Sequence, residues 1–219
     1  MKHLVLLLAI TTMAGCANHA TFESPEAYTT LDEQFTGQTV HYSIQYSQPR
    51  PGIFSGGEQQ KASPLSEAEL SIVSRKSLAN VEEIVERHLP PGMSPIRGQT
   101  DTDYQLDISI TAYSKHGPTA WDFQFAKSLG VGLISLGLGP DYWKIIADFD
   151  VTYALENRQT GEVIEESYSV DEIADHQAGP FESTDPLMRA SQDMFERHFS
   201  LTLNQFFERI DTLTISKAE

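Results

Sequence analysis

Between positions 38 and 47 apolar and polar residues alternate. Val40, Tyr42, Ile44 and Tyr46 fall on one face and Thr39, His41, Ser43 and Gln45 on the other, the pattern of a half-buried strand. The spacing then changes to three and four. Leu70, Val73, Leu78, Val81, Ile84, Val85 and Leu89 make one helical stripe behind the capping box Ser66-Glu67-Ala68-Glu69, and Pro90-Pro91-Gly92 stops it. Alternation returns at 104–112, where Tyr104, Leu106, Ile108, Ile110 and Ala112 oppose Gln105, Asp107, Ser109 and Thr111. It recurs at 147–155 through Ala147, Phe149, Val151, Tyr153 and Leu155. Asn157-Arg158-Gln159-Thr160-Gly161 reads as a hairpin loop with glycine where positive φ is cheap, and Ile164, Glu166, Tyr168 and Val170 as the return strand. Asp185-Pro186 opens a last helix that buries Leu187, Met194, Phe195, Phe199, Leu203, Phe206, Ile210 and Leu213.

Clean alternation on every strand leaves one sheet face wet or against a partner, with the helices on the other. The expected fold is an α+β two-layer sandwich: a mainly antiparallel sheet of about four strands with two helices on one face.

One stretch breaks the pattern, an apolar, Gly-rich insert at 119–143. Trp121 and Trp143 flank it, and it carries Phe123, Phe125, Leu129, Leu133, Ile134, Leu136 and Leu138 among Gly130, Gly132, Gly137 and Gly139. Between Lys127 and Asp141 there is no charge. As a helix this run reaches only roughly 20 Å, against ~30 Å of bilayer hydrocarbon. If helical, Ser128, Gly132, Ser135 and Gly139 form a small-residue stripe suited to close approach; if extended, the segment is aggregation-prone unless covered. Two readings stand: a connection tucked into the core, or an exposed element that contacts a partner or the membrane, with the tryptophans at its interface.

The amino terminus adds a location. Met1-Lys2-His3, an apolar run at 4–10 and a small-residue region to Gly15 have the make-up of a secretory signal, too short to span a bilayer. Met13-Ala14-Gly15-Cys16 resembles the lipobox of bacterial lipoproteins. That resemblance implies a diacylglycerol on the Cys16 thiol, removal of residues 1–15, and a further acyl chain such as palmitate on the new amino terminus. The alternative is an ordinary signal peptide followed by a free thiol. Cys16 is the one cysteine of the chain, so in an oxidising compartment it has no intramolecular partner. Ala17 rather than Asp after Cys16, by resemblance to the sorting rules of enterobacterial lipoproteins, implies the outer membrane over the inner. The expected organisation is a signal peptide over 1–15, a lipidated tether over 16–36 and a single periplasmic domain over 37–215.

Charge narrows the partners. Fifteen Lys and Arg stand against 31 Asp and Glu, a formal charge of −16, and loss of Lys2 with the leader makes it −17. Such a chain has no electrostatic reason to bind nucleic acid or an anionic lipid surface, so acyl chains would have to hold it at the membrane.

Candidate chemistry is sparse. Gly130-Val131-Gly132 lacks the third glycine of a dinucleotide fingerprint, and no Gly-x-Ser-x-Gly elbow is present. Asp171, Glu172, Asp175 and His176 could ligate a metal but read more simply as a solvated acidic segment, and His88 and His198 as helix-surface or boundary residues. Asp107, Asp148 and Asp150 read as solubility and edge protection. Neither a catalytic residue, a metal nor a cofactor is expected.

The order of elements behind a lipobox, with the Thr160-Gly161-Glu162 hairpin between strands at 147–170, resembles a group of small envelope lipoproteins over about residues 38–212. The group includes the amino-terminal domain of the Tol translocation protein, the lipoprotein activators of penicillin-binding proteins, and the curli-secretion lipoprotein. The resemblance implies non-catalytic work by protein–protein contact and carries over only Cys16. The leading expectation is an accessory or assembly lipoprotein on the periplasmic side of the outer membrane, binding a protein partner through the insert or the open sheet. One alternative is an oligomeric secretion or pore component whose 121–143 hairpin enters the membrane; another is an enzyme with an unrecognised site.

Overall fold

The computed structural model describes residues 17–28, 35–52, 54–98, 101–134, 139–179 and 181–218, with side chains as far as 211. Seven strands form one mixed sheet: β1 (Thr39–Ser47), β2 (Ser63–Pro64), β3 (Ser94–Pro95), β4 (Tyr104–Ala112), β5 (Thr119–Phe123), β6 (Asp141–Asn157) and β7 (Val163–Ala178). Four α-helices accompany them among the described residues: α1 (Ile72–Ser77), α2 (Val81–His88), α3 (Phe125–Ile134) and α4 (Asp185–Ala218).

β6 is the spine. Along one edge it pairs antiparallel with β7 from Asp141↔Ala178 to Glu156↔Val163. Along the other it pairs first with β5, Phe123↔Trp143 to Thr119↔Ala147, and then with β4, Ala112↔Phe149 to Tyr104↔Asn157. β4 and β5 therefore lie end to end, broken by a turn in which Ser114 bridges Gly117. Beyond β4 comes β1, parallel to it, with β2 and β3 as two-residue pieces on its outer edge. Four full-length strand positions are what alternation reveals. The three further strands are too short, or too embedded in the insert, to show a period, so the expectation of four strands understates the sheet.

Alternation sorts the two faces. Ile145, Ala147, Phe149, Val151, Tyr153 and Leu155 of β6 are buried on the helical face, while Asp148, Asp150 and Thr152 lie on the other, which no described helix covers. The 34-residue helix α4 lies over the buried face. Its Phe195 meets Phe149 at 5.5 Å between ring centres, and its Phe206 meets Tyr153 at 5.3 Å. The Tyr153 hydroxyl is within 2.9 Å of Thr202 Oγ1, so this deeply buried phenol has a partner; burial pushes its pKa up.

Two helical expectations are corrected. The stripe at 70–89 is two helices, because Leu78 and Asn80 sit near ψ 0° and interrupt the ladder. Ser66 and Glu69 do not cap the first of them. A 3-10 turn occupies Leu65–Glu67, Ala68 is extended, and the cap is Ser71, whose Oγ accepts from Ser74 N at 3.0 Å.

The amino-terminal segment also differs from the expected free tether, where it is described. Asn18 and Gln177 exchange both backbone hydrogen bonds, so the chain adds a single bridge to the outer edge of β7. Ala20, Phe22 and Tyr28 pack against the core. Asn204 of α4 accepts from Tyr28 N at 3.1 Å and donates to Glu26 O at 2.7 Å. Polar composition hid this docking because a backbone bridge and the side-chain amide of Asn204 supply its hydrogen bonds.

Candidate functional site

β5 and β6 part beyond Phe123↔Trp143, and α3 begins two residues later. Backbone and side-chain bonds fix the junction. Gln124 N donates to Tyr142 O (2.8 Å), Ser128 N to Gln124 O (2.9 Å) and Tyr142 N to Ser128 Oγ (2.9 Å). Lys127 Nζ stands 4.2 Å over the Tyr142 ring. Ser128 is thus the buried side of α3, turned to β6.

The other side is bare. Phe125 is 65% exposed, Leu129 49%, Leu133 72% and Ile134 86%. The first three of these, with Phe123 and Gly139, border an open, mainly apolar groove of about 550 Å³. A Cβ built on Gly132 would meet open space, so of the described small-residue stripe it is Ser128 that packs closely, against β6. Trp121 and Trp143 do not share this exposure; both pack partly buried against the core, Trp143 4.7 Å from Phe123. The described part of the insert is an exposed helix at the tip of a two-stranded hairpin, with the tryptophans packed against the core and not on its exposed side. Leu136 and Leu138 lie outside the described residues, as does Cys16.

Two further features share this end of the sheet. Asn18 pairs with Gln177, and Gln177 with Tyr142, so the chain enters two strand spacings, about 10 Å, from the residue that ties down α3. β7 ends at Ala178, opposite Asp141, and leads to Phe181, which is 92% exposed and has φ +69°. A non-glycine residue in that region carries local strain. The turn is held by Glu182, which accepts from Gly179 N at 2.6 Å and faces His19 Nε2 at 2.8 Å. His19 stacks on buried His176, whose Nδ1 accepts from Ala20 N at 3.2 Å. Burial, then the neighbouring His19, holds His176 below the usual imidazole pKa. An aromatic residue beside Gly179 and Pro180 was the sequence signal for the exposed turn; the histidine stack had none.

The acidic segment does not converge. Asp171 and Asp175 point to the uncovered face of β7, while Glu172 and His176 point to the helical face, where Glu172 lies 3.3 Å from Arg197 and 2.9 Å from His198. Among the described residues no three His, Cys, Asp or Glu side chains are placed to hold a metal. His88, expected at a helix surface or boundary, is fully buried and bonded through Nδ1 to Asn204 Oδ1 at 2.7 Å. On the open face Asp148 stands opposite Asp171; desolvation first, then Asp171 and Asp150, raises its pKa. Tyr113 donates its hydroxyl to Asp150.

No family model matches the chain, and no curated protein does. Among solved structures, a Xanthomonas campestris protein of the DUF330 family is similar at 14% identity and TM-score 0.38, over 90% of this chain and 99% of that one. A Helicobacter pylori homolog of a neuraminyllactose-binding hemagglutinin is similar at 8% identity and TM-score 0.38, over 91% and 100%. Neither likeness carries an argument about function.

Proposed function

We propose that the protein is a non-catalytic envelope lipoprotein, anchored through Cys16 to the periplasmic side of the outer membrane, that serves a protein partner as an accessory or assembly factor. One observation carries the reading. Exposed apolar side chains of α3, and Phe181, gather at the end of the sheet where the chain arrives from position 16. The face that no described helix covers is polar and acidic, with Asp107, Asp148, Asp150, Asp171 and Asp175. The two surfaces thus differ in chemistry and direction. An anchored end and a separate uncovered sheet suit a protein that holds a partner in place. The acidic face fits a basic partner surface.

Two changes test the two halves. Cys16→Ser should move the protein from the outer-membrane pellet to the soluble periplasmic fraction. Asp148→Lys with Asp171→Lys should abolish crosslinks from the open face in intact envelopes while circular dichroism stays native. A Cys16→Ser protein that remains in the pellet, or unchanged crosslinks in the folded lysine variant, would contradict the corresponding half.

A further inference from the structure

We propose that α3 and Phe181 form a second membrane contact, lying in the same leaflet as the acyl chains on Cys16. The inference rests on the anchoring proposed above and names what covers the apolar end of the domain.

Position comes first. Residues 17–28 are docked on β7 and α4, so the described chain provides no linker that could lift the domain from its anchor. The acylated residue precedes Ala17 by a single Cα step, about 3.8 Å. A Cβ on Gly179 would lie 4.0 Å from that of Ala17, and Gly179 begins the turn carrying Phe181. Across the sheet, the Asn18↔Gln177↔Tyr142 register leads to α3. An anchor at this corner brings the headgroups to α3 and Phe181 before any other part of the sheet.

Length and exposure agree. An apolar helix of ten residues is too short to cross a bilayer and suits either a core or an interfacial position. The exposures of Leu133 and Ile134 remove the core. Phe181 adds an aromatic side chain held outward at the cost of a left-handed backbone, fixed by Glu182 and His19. Lys127, Tyr142 and Trp143 at the base of α3 have the chemistry of the headgroup boundary, where amphipathic aromatic rings and long basic stems collect. A protein groove, by contrast, would have to reach this helix between the domain and the leaflet that holds it. The formal charge of −17 on the chain without its leader selects a zwitterionic surface over an anionic one.

The test uses the acylated protein in phosphatidylethanolamine–phosphatidylcholine vesicles. Wild-type Cys16 is consumed by lipid, so Leu133→Cys carries the one reactive thiol for a polarity-sensitive fluorophore. Phe181→Cys supplies an independent reporter, and Ser169→Cys, exposed on β7, a control. Labels at 133 and 181 should shift to the blue and be quenched by phosphatidylcholine brominated on the upper acyl chain. The label at 169 should do neither. Apolar faces of interfacial helices sit about 5–10 Å deep, so bromines near the headgroup should quench more than bromines near the chain end. Protein that floats with the vesicles but carries unquenched labels at 133 and 181 overturns the inference, leaves the anchor standing, and gives α3 to a protein groove. Protein that does not float overturns both.

Discussion

Ile134→Asp is the sharpest probe of how α3 is held. Ile134 keeps 86% of its surface in water. Full burial of such a side chain is worth about 1.5–3 kcal/mol, so the buried seventh contributes at most about 0.4 kcal/mol. Isoleucine and aspartate differ by only a few tenths of a kcal/mol in helix propensity. The total stays below about 1 kcal/mol, which in a domain of this size moves Tm by roughly 2–4 °C. Phe199→Ala is the contrast. Phe199 is fully buried, stacked on Phe195 at 5.5 Å and tilted against Tyr153 at 6.0 Å. Its truncation should cost about 3–5 kcal/mol and lower Tm by roughly 6–20 °C. The assay is thermal melting by circular dichroism on the Cys16→Ser background, which keeps acyl chains out of the measurement. An Ile134→Asp protein that melts as low as Phe199→Ala would place α3 in the core and refute the exposed reading.

Other perturbations test the rest of the account. Asn204→Ala leaves buried His88 without its partner and undocks Glu26 and Tyr28; a loss of about 2 kcal/mol, roughly 4–8 °C in Tm, is expected, and an unchanged melt would mean that the amino-terminal segment contributes nothing. His88, His176 and His198 all have folded pKa values held below the ordinary 6.5, each first by burial. The unfolded chain then binds protons more readily, so their stabilisation is present above pH 6.5 and lost as pH falls through the folded values. Tm should drop between pH 7.5 and 5, and a flat or rising profile would count against the buried histidines. Gly117 has φ +122°, and a Cβ there would meet Ser74 Oγ at 2.5 Å and Ser74 Cα at 2.9 Å. Gly117→Ala should therefore cost more than about 1 kcal/mol in urea unfolding, whereas Gly161→Ala, strained but with open space around it, should cost less.

Much of this architecture is written in side-chain period. The alternation through Phe149, Val151 and Tyr153 and the stripe through Phe195, Phe199 and Phe206 identify the strand and helix that make the core, because a sheet face and a helix stripe bury residues at fixed intervals. What the pattern hides is whatever backbone geometry decides. Two-residue strands carry no period, and a capping-box pattern at Ser66 cannot compete once Ala68 is extended and Ser71 caps instead. The docking of residues 17–28 depends on a strand bridge and on amide groups of Asn204, neither of which leaves an apolar trace. For the site, the apolar, Gly-rich insert is visible in composition, but not whether it is core or exposed. Its neighbours are not, since only pairing register brings Asn18, Gln177 and Tyr142 into one row and sets Ala178, the end of β7, opposite Asp141.

The central claim is that this domain hangs from an acylated Cys16 with its α3 end against the membrane. Mass spectrometry of the amino-terminal peptide, from protein extracted out of purified outer membranes, tests the anchor directly. The account predicts a chain that begins at Cys16 and carries the mass of a diacylglycerol and a further acyl chain. A peptide that begins at Met1, or at Cys16 with an unmodified thiol, would contradict it.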